Sequence, residues 1–567
     1  MSNLTDLIHP EDAHHLSGLF SERVKRSENK IAYQYFDPST QQWLSYTWAQ
    51  VQNKVATIQQ ALLKQELKKG QCVAIMTHNC PEWIMFEQAA LGLGLVVVPL
   101  YINDRADNIN YIINDSQIQL ILVTGSEQCR TLEIIKEDLK TVKLIVYLLQ
   151  IEKKHHNNII YFDDWLKEGA QQAEHIIDDI QPDQLASIVY TSGTTGRPKG
   201  VMLSHNNILQ NAYGASQCES FYPSDIFLSF LPLSHMFERT AGYYLPIMAA
   251  SKVVYARSID KLAEDLVDIR PTILITVPRI FERVYNKIQI QLQQKQKIAK
   301  FLFDLTVNIG WHWFKYSQNK TGWHPKLLLR PVLQNIVGKK IIDKLGGNLR
   351  LAVSGGAALS PDIARTFIGL GLNISQGYGM TELSPIVSTN LLHDNEPDSV
   401  GQKFVNVDVK LGDNEELLVK GSSVMLGYLN NKEATDKTID NDGWLHTGDK
   451  AKIVNDHIYI TGRIKDILVL STGEKIPPND IEIAITNNPL FEQALIYGEG
   501  KPYLTALVVL DSDEWNNIKR KISSQNEIDI NSSEACQYLL GRIRHCLKKF
   551  PGYARIYKVY STMDAWT

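Results

Sequence analysis

The sequence predicts an α/β fold: a large N-terminal body of doubly wound α/β subdomains with a small β-rich part, then a small, mobile α+β C-terminal domain. Three observations predict it. Short β-branched apolar runs alternate with segments of helical period, turn residues and short strands dominate after about residue 390, and the pattern becomes mixed again beyond residue 465. Continuous apolar strands joined by helical crossovers are typical of parallel sheets covered on both faces.

The elements of the body follow from its apolar runs. Strands are predicted at 72–77, 95–101, 120–124, 187–191, 226–230, 252–256, 273–276 and 349–355. Segments of helical period at 81–94 and 105–116 separate the first three runs, which predicts helical crossovers between them. Short runs at 404–421 and 457–463 predict the β-rich part, and 532–550 is predicted as an amphipathic helix of the C-terminal domain.

Composition excludes several other classes of protein. The chain has 567 residues, of which 44% are hydrophobic and 21% are charged. At about 150 residues per domain, this length predicts three or four domain-sized units, and the mixture excludes a disordered, collagen-like or disulfide-stapled chain. The formal net charge of -4 gives no global attraction to nucleic acid, so no nucleic-acid partner is expected.

Cysteine usage and apolar segments bear on cellular location. The six cysteines include no CxxC pair, which predicts neither a zinc site nor a redox dithiol. So few cysteines in a long chain favour a reducing compartment. The N-terminus lacks the pattern of a secretory signal, and no apolar stretch approaches the ~20 residues that span a bilayer. We therefore expect a cytoplasmic protein.

The strongest local signal is a loop rich in glycine and hydroxyl residues between Tyr190 and Gly200. Its donors suit phosphate oxygens, Lys199 adds positive charge, and a helix predicted to begin near Ser204 would favour an anion at its N-terminus. It is not a Walker A loop, because Gly-Lys-Ser/Thr is absent. The candidate nucleotide-binding residues of the loop are Thr191, Ser192, Gly193, Thr194, Thr195 and Gly196.

Six further motifs follow the loop in order, at 231–235, 354–359, 376–382, 421–428, 442–449 and 462–466. Together with the loop they resemble the motifs of the adenylate-forming superfamily of acyl-CoA synthetases, luciferases and non-ribosomal peptide adenylation domains. The agreement of seven segments in one order identifies the chain as a member. The resemblance implies that ATP converts a carboxylate to an acyl-adenylate and pyrophosphate, and that coenzyme A then displaces AMP. Because two anions meet in the first step, it also implies a divalent cation near the α-phosphate.

The resemblance implies roles for the residues around the phosphates. Glu382 is the first candidate for a Mg²⁺ ligand, because hard cations prefer carboxylate oxygen, and the Thr191 hydroxyl is the second. Thr381 is expected to contact the α-phosphate, and Lys199 is expected to act there as a cation. His235 lies at the pocket end of its strand and is expected to shape the carboxylate or thioester site without acid–base work.

A second set of roles concerns the adenosine. The ring of Tyr378 is expected to stack on adenine, and Gly356 and Ala357 are expected to let the backbone approach the base. Asp449 is expected to accept hydrogen bonds from the ribose hydroxyls, and Arg463 to donate one. The adenine motif supplies three further candidate contacts: Gln376, Gly377 and Gly379.

Three features resemble the long-chain fatty-acid:CoA ligases of the superfamily: the segment 276–285, an insertion of about sixty residues after it, and the segment 471–476. A long-chain fatty acid is therefore the expected substrate. Within the insertion, 301–329 carries Trp311, Trp313 and Trp323 among lysines and leucines, which predicts a peripheral contact with the inner face of a membrane. Ordinary helix packing or a homodimer contact is the alternative.

The motifs divide the chain into an AMP-binding body at 1–462, with its β-rich part at about 391–462, a hinge at 463–466 and a C-terminal lid domain at 467–567. Lys465 matches the hinge residue, about which the resemblance implies a rotation of the lid between the two reactions. The lysine that the family carries near the end of the lid has no counterpart before Thr567, so impaired adenylation is expected. Two alternatives stay open: a fatty-acyl-AMP ligase that loads a carrier protein, and a non-catalytic acyl-adenylate-binding protein.

Overall fold

The computed structural model describes residues 5–149, 158–167, 174–191, 197–464, 468–471, 474–476, 478–522, 529–548, 550 and 554–566. The α-helices are α1 (Pro10–Ala13), α2 (Leu16–Ser27), α3 (Trp48–Leu63), α4 (Pro81–Gly92), α5 (Ala106–Asp115), α6 (Ser126–Ile134), α7 (Phe162–Lys167), α8 (His205–Cys218), α9 (Leu245–Ala249), α10 (Leu262–Ile269), α11 (Pro278–Gln293), α12 (Lys297–Ser317), α13 (Arg330–Leu333), α14 (Lys339–Ile342), α15 (Pro361–Gly369), α16 (Lys432–Thr438), α17 (Pro478–Thr486), α18 (Ser512–Ile522) and α19 (Ser533–Cys546).

The strands follow the same chain order. They are β1 (Ile31–Asp37), β2 (Gln42–Thr47), β3 (Cys72–Met76), β4 (Val96–Pro99), β5 (Leu120–Val123), β6 (Leu144–Tyr147), β7 (Ile159–Tyr161), β8 (Leu185–Thr191), β9 (Lys199–Ser204), β10 (Ile226–Ser229), β11 (Lys252–Tyr255), β12 (Ile273–Thr276), β13 (Leu351–Ser354), β14 (Ile374–Gly379), β15 (Ile386–Thr389), β16 (Gln402–Lys403), β17 (Val407–Leu411), β18 (Glu416–Gly421), β19 (Gly427–Tyr428), β20 (Leu445–Val454), β21 (His457–Arg463), β22 (Leu468–Val469), β23 (Lys475–Ile476), β24 (Phe491–Tyr497), β25 (Leu504–Leu510) and β26 (Ile556–Thr562).

One sheet of the body has eight strands in the order β19-β9-β8-β4-β3-β5-β6-β7. From β8 to β7 its neighbours pair in parallel, whereas β9 returns antiparallel to β8. Every residue of β3, β4 and β5 is buried, as expected for strands covered on both faces. The helices α4 and α5 form the crossovers between these strands, which confirms the predicted parallel α/β arrangement.

The other large sheet has nine strands in the order β16-β15-β14-β13-β12-β10-β11-β1-β2. Its inner strands β10, β12, β13 and β14 are parallel, so their carboxyl ends lie along one edge. A crevice outside such an edge is where open α/β sheets bind ligands. The segments that follow three of these strand ends carry the predicted site residues at 231–235, 355–357 and 380–382.

A hydrophobic core lies between the two sheets and includes side chains of both, such as Val73 and Ile275. The helices between the sheets contribute its largest members, among them Trp48, Trp83 and Phe86. The body is therefore stabilised by the burial of apolar side chains on helices that lie between the two sheets.

The β-rich part and the C-terminal domain are smaller. β17, β18, β20 and β21 form a four-stranded antiparallel sheet, as the turn-rich texture predicts. In the C-terminal domain β24, β25 and β26 form a three-stranded sheet with its own hydrophobic cluster, which includes Phe491, Trp515 and Leu539. α19 confirms the amphipathic helix predicted at 532–550. The fold class, a large α/β body and a smaller C-terminal domain, is confirmed.

The insertion packs on the body through helix α12. Gly310 on α12 meets Gly369 at the end of α15 so closely that a Cβ on Gly310 would lie 1.8 Å from the Gly369 carbonyl oxygen. Any side chain at this position would push the helices apart. Within the described residues, none of the helices has the length and apolar character needed to cross a membrane.

Candidate functional site

A cavity of about 880 Å³ lies at the carboxyl ends of the parallel strands. Residues of the two large sheets and of the β-rich part line it. Among the residues that line it are ten that the sequence predicts: Thr191, Lys199, His235, Gly356, Gly377, Tyr378, Gly379, Thr381, Glu382 and Arg463. Residues drawn from segments more than 270 positions apart therefore meet in one cavity. Ser192, Gly193, Thr194, Thr195, Gly196 and the hinge residue Lys465 lie outside the described residues.

The ends of the phosphate loop belong to a β-hairpin. Thr191, the last residue of β8, is the cross-strand partner of Lys199, the first residue of β9. The helix predicted near Ser204 exists, since Ser204 caps α8. Its N-terminus lies at the far end of β9, roughly 20 Å from Lys199 at ~3.3 Å per residue, so its dipole does not act on the loop, contrary to the expectation from sequence.

Contacts beyond the hairpin hold both flanks of the loop. On one flank, the Tyr190 hydroxyl donates to Asp115 Oδ2 at 2.6 Å, and burial followed by the neighbouring carboxylate raises the tyrosine pKa. On the other flank, the guanidinium of Arg197 lies 5.6 Å from the ring centre of Tyr111. Both partners sit on α5, so one helix of the body fixes the two sides of the loop.

Glu382 lies on a single 3₁₀ turn directly after β14, where 8% of its surface is exposed. Its Oε1 accepts a hydrogen bond of 2.9 Å from the Tyr428 hydroxyl, and its backbone carbonyl accepts one of 2.9 Å from Met425 N–H. The Lys199 ammonium lies 4.9 Å from the ring centre of the same Tyr428. The carboxylate and the lysine are thus arranged around one tyrosine.

The donor set around Glu382 suits Mg²⁺. Within the described residues, His, Cys, Asp and Glu side chains form no group of three that could hold a metal, and the cavity offers the Glu382 carboxylate and the Thr191 hydroxyl. Mg²⁺ keeps several waters and is commonly bound by one or two protein oxygens together with substrate phosphates. Glu382 and Thr191 therefore fit a nucleotide-bound magnesium ion.

Asp449 is buried, with 5% of its surface exposed, and lies outside the described cavity lining, in contact with Tyr378 and Arg463, which do line the cavity. The Tyr378 hydroxyl donates to its Oδ2 at 2.5 Å, and the Arg463 Nε–H lies 3.2 Å from its Oδ1. Burial first, and then the charge of Asp449, raises the pKa of Tyr378, so its hydroxyl keeps the proton it donates. Asp449 therefore contacts both of the other residues, Tyr378 and Arg463, that are expected to hold adenosine.

Three residues of the adenine-side motifs differ in what they face. Gly356 lies in an exposed turn with φ +80 and lines the cavity. Because it has no side chain, its backbone is accessible from the cavity. Ala357 is exposed beside it. Gln376 is buried: it accepts from Leu359 N–H at 2.6 Å and donates to two backbone carbonyls, so its side chain holds the surrounding turns and lies outside the described cavity lining.

His235 follows β10, lines the cavity and is exposed. Its Nδ1 accepts a hydrogen bond of 3.3 Å from Phe237 N–H, so the neutral ring carries its proton on Nε2. Loss of solvation lowers its pKa. A neutral imidazole with a free N–H can orient a carboxylate or carbonyl oxygen.

Part of the cavity lining, the apolar arm, consists of apolar side chains that sequence motifs do not reveal. Its apolar members come from at least five separate segments: Ala215, Cys218, Phe221, Ala241, Leu245, Ile275, Leu351, Val353, Ile386 and Phe404. Sequence reasoning also missed Tyr428 and Asp115, whose partners are distant along the chain.

One cavity lined both by polar residues of the motifs and by apolar side chains, on this two-part fold, is typical of an adenylate-forming enzyme. Residues 20–429 match the family model "AMP-binding enzyme", and residues 465–561 match "AMP-binding enzyme C-terminal domain". The chain belongs to this family of AMP-binding enzymes.

Curated relatives indicate which branch of the family the chain resembles. The chain is 31% identical to "Long chain acyl-CoA synthetase 7, peroxisomal" of Arabidopsis thaliana over 83% of this chain and 69% of that protein. It is 30% identical to "Long-chain-fatty-acid–CoA ligase 5" of Rattus norvegicus over 96% of this chain and 80% of that protein. The relatives therefore lie in the long-chain acyl-CoA synthetase branch.

Solved structures share the fold at lower identity. The anthranilate CoA ligase AuaEII in complex with anthranoyl-AMP superposes with a TM-score of 0.73 at 20% identity, over 98% of this chain and 94% of that one. ATP-bound MatB from Rhodopseudomonas palustris gives a TM-score of 0.69 at 22% identity, over 97% and 95%. These structures show the fold alone.

Proposed function

We propose that this chain is a long-chain fatty-acid–CoA ligase that works through an acyl-adenylate. In the first step, a carboxylate oxygen of the fatty acid attacks the α-phosphorus of ATP, and the bond to the bridging oxygen breaks to release pyrophosphate. In the second step, the thiol of coenzyme A loses its proton to solvent, its sulfur attacks the acyl carbonyl, the mixed anhydride bond breaks, and AMP leaves. The observation that carries the proposal is one cavity that both the residues of the nucleotide motifs and the apolar side chains line.

The phosphate side is proposed to neutralise charge. Lys199, Thr381 and the loop Ser192–Gly196 bind the phosphates, and Glu382 and Thr191 hold the magnesium ion. When bound there, Mg²⁺ would supply positive charge that stabilises the negative charge developing as pyrophosphate leaves. The protein contributes by holding the Glu382 carboxylate and the Lys199 ammonium in fixed positions around Tyr428.

The adenosine is proposed to lie against the ring of Tyr378 and the backbone of Gly356, with Gly377, Gly379, Ala357 and Gln376 shaping the turn around it. Asp449 and Arg463 bind the ribose. The fatty-acid chain occupies the apolar arm, and the Nε2–H of His235 orients the acid carboxylate. Because the pKa of His235 is lowered, the ring stays neutral at physiological pH and does not attract the carboxylate as an ion pair would.

The C-terminal domain is proposed to act as a lid that turns about 463–466, with the body at 1–462 and the lid at 467–567. Two observations support this division: the lid has its own hydrophobic cluster, and Arg463 at its edge is 63% exposed. A described contact with the body is polar and short, the hydrogen bond of 3.2 Å from Asn487 Nδ2 to Ser360 Oγ. Such a contact separates at little cost in free energy.

We further propose that the protein is cytoplasmic and meets the inner face of a membrane through its insertion. Residues 286–342 carry ten Lys and Arg residues and one acidic residue, Asp304, in a chain whose overall charge is -4. Among the described residues, Lys320 is the one of these cations that forms an ion pair, with Glu396 at 2.9 Å. Basic charge beside exposed apolar groups suits an anionic bilayer surface.

The exposed apolar groups of the insertion include Trp323 but not Trp311. Trp311 is half-buried and stacks on Phe314 with ring centres 5.0 Å apart. The most exposed group is Leu328, with 71% of its surface exposed, and the others at nearly half or more are Ile298, Phe301, Trp323, Leu329, Val332 and Ile336. The contact proposed for 301–329 therefore extends to 298–336.

Two measurements on the purified protein test the reaction. Palmitate-dependent release of pyrophosphate from Mg·ATP tests the first step, and detection of palmitoyl-CoA after addition of coenzyme A tests the second. The proposal expects both. Pyrophosphate and transfer to a carrier protein without acyl-CoA would favour a fatty-acyl-AMP ligase. Tight binding of acyl-AMP without pyrophosphate release would favour a non-catalytic binding protein.

Vesicle sedimentation tests the membrane contact. The protein is expected to sediment with vesicles of phosphatidylglycerol and phosphatidylcholine, less with phosphatidylcholine alone, and less again at high salt. The double variant Phe301→Ser with Leu328→Ser is expected to lose most binding, whereas Val405→Ser, equally exposed on the body, keeps it. Unchanged sedimentation of the double variant would refute the contact, and a mass that doubles with concentration would instead indicate a homodimer.

A further inference from the structure

Tyr428 stands between the two charged groups of the phosphate side. Its backbone is fixed on the strand that begins with Lys199, because Leu426 N–H donates to Met202 O at 2.9 Å and Leu429 N–H donates to Gly200 O at 2.8 Å. Two residues after Tyr428 the backbone changes direction at Asn430, which has φ +51. The Asn430 side-chain amide donates to Asp115 Oδ1 at 3.2 Å. The same short segment therefore joins β9 to the carboxylate that anchors the phosphate loop.

The side chain of Tyr428 makes two contacts with the site. Its hydroxyl donates to Glu382 Oε1 at 2.9 Å, and its ring centre lies 4.9 Å from the Lys199 ammonium. The side chain is buried, and its hydroxyl is the donor in this bond because an ionised carboxylate can only accept. Met425, three residues earlier, donates to the backbone of Glu382.

We propose that Tyr428 is a positioning residue for the metal: its hydroxyl fixes the orientation of the Glu382 carboxylate, and its ring fixes Lys199 beside it. The inference rests on the proposed function, because the magnesium ion at Glu382 is itself proposed. A carboxylate offers about four lone-pair sites, so one bond to Tyr428 leaves sites free for a cation. Partners that orient a metal ligand typically change metal affinity or activity about 10- to 100-fold when removed.

Removal of the hydroxyl alone tests the first half of the inference. Tyr428→Phe keeps the ring near Lys199 and removes the bond to Glu382. Binding of α,β-methylene ATP is measured by calorimetry in EDTA and in a series of MgCl₂ concentrations. The tightening caused by magnesium is expected to fall about 10- to 100-fold, because the carboxylate is no longer held for the ion. The affinity in EDTA is expected to stay within about twofold of wild type, because no phosphate contact is lost.

Removal of the ring tests the second half. Tyr428→Leu is expected to lose the same magnesium effect and also about 3- to 10-fold of the affinity in EDTA, because Lys199 loses the aromatic face that fixes it. The matched control is Tyr46→Phe. The Tyr46 hydroxyl lies 3.4 Å from the Tyr35 hydroxyl, and neither residue lines the cavity. Thermal melting of all variants shows whether an effect is local.

The outcomes separate this inference from the proposed function. Unchanged magnesium linkage in Tyr428→Phe, or an equal loss with and without magnesium, overturns the positioning role. Glu382→Gln serves as the reference, and it is expected to abolish the magnesium effect. If Glu382→Gln leaves that effect intact, the proposed metal ligand itself is wrong. If only Tyr428→Phe leaves it intact, the ligand stands and the role of Tyr428 falls.

Discussion

Two walls of the cavity, one with Tyr428 and the other with Tyr378, each place a tyrosine hydroxyl against a buried carboxylate. Glu382 on the phosphate side and Asp449 on the ribose side are both more than nine-tenths buried, and a tyrosine hydroxyl donates to each. They differ in their cationic partner. Lys199 lies over the ring of the tyrosine, whereas Arg463 pairs with Asp449 directly. Under the proposed function, the carboxylate of Glu382 holds a metal ion, and that of Asp449 is already paired with a protein cation.

Glu382→Gln is expected to have the largest effect. An amide has the shape of the carboxylate but lacks the charge that holds a divalent cation. Pyrophosphate release at saturating ATP is expected to fall about 10²- to 10³-fold, the usual cost of one transition-state contact. The control is Glu396→Gln, an exposed ion pair outside the cavity. Retention of wild-type turnover by Glu382→Gln would show that the two walls do not differ in function.

Asp449→Ala is expected to come second. It removes a buried acceptor and leaves the Tyr378 hydroxyl without this partner. Hydrogen bonds to charged groups contribute ~1.5–3 kcal/mol, so KM for ATP is expected to rise about 10- to 100-fold with a smaller change in kcat. Asp408→Ala, exposed in the same antiparallel sheet, is the control. A fall in kcat at constant KM would place Asp449 on the chemical step instead.

Tyr378→Phe sharpens the comparison, because it mirrors Tyr428→Phe on the opposite wall. It keeps the ring for adenine and removes the hydroxyl bond to Asp449. KM for ATP is expected to rise about 3- to 10-fold, because an exchanged hydrogen bond contributes ~1 kcal/mol, and the magnesium dependence is expected to stay unchanged. Steady-state kinetics over a range of MgCl₂ concentrations measure both. A shifted magnesium requirement would mean that the two tyrosines are not functionally distinct.

Arg463→Ala is expected to have the smallest effect. With 63% of its side chain exposed, its pairing with Asp449 is screened by water, and such exposed pairs contribute ~0.2–1 kcal/mol. KM for ATP is expected to rise about two- to fivefold. A loss as large as that of Asp449→Ala would show that Arg463 binds ribose more strongly than its exposure allows.

Most of the buried sheet could be predicted from sequence, because fully buried parallel strands are uninterrupted apolar runs. β3, β5 and β12 begin where the apolar runs predict. β9 was not predicted, because its sequence Lys199–Ser204 follows the loop directly and suggests a loop that leads into a helix. The antiparallel pairing with β8 depends on a partner strand, and local sequence does not encode it.

The candidate site divides in the same way. Residues within contiguous motifs, such as Thr381 and Glu382, could be predicted and now lie in one cavity. Tyr428 was part of a matched segment, yet its contact with Glu382 spans 46 positions and becomes visible only in the structure. The apolar arm has no motif, because a surface that contacts a hydrocarbon chain requires only shape and apolar character.

The close approach of Gly310 to Gly369 has a consequence for where the enzyme works. Two backbones in direct contact cannot slide past each other without a clash, so the insertion keeps one orientation relative to the cavity. Whatever surface lies against the exposed side of the insertion is therefore at a set distance from the site of acyl transfer. The two glycines would then determine how far a fatty acid travels between that surface and the nucleotide.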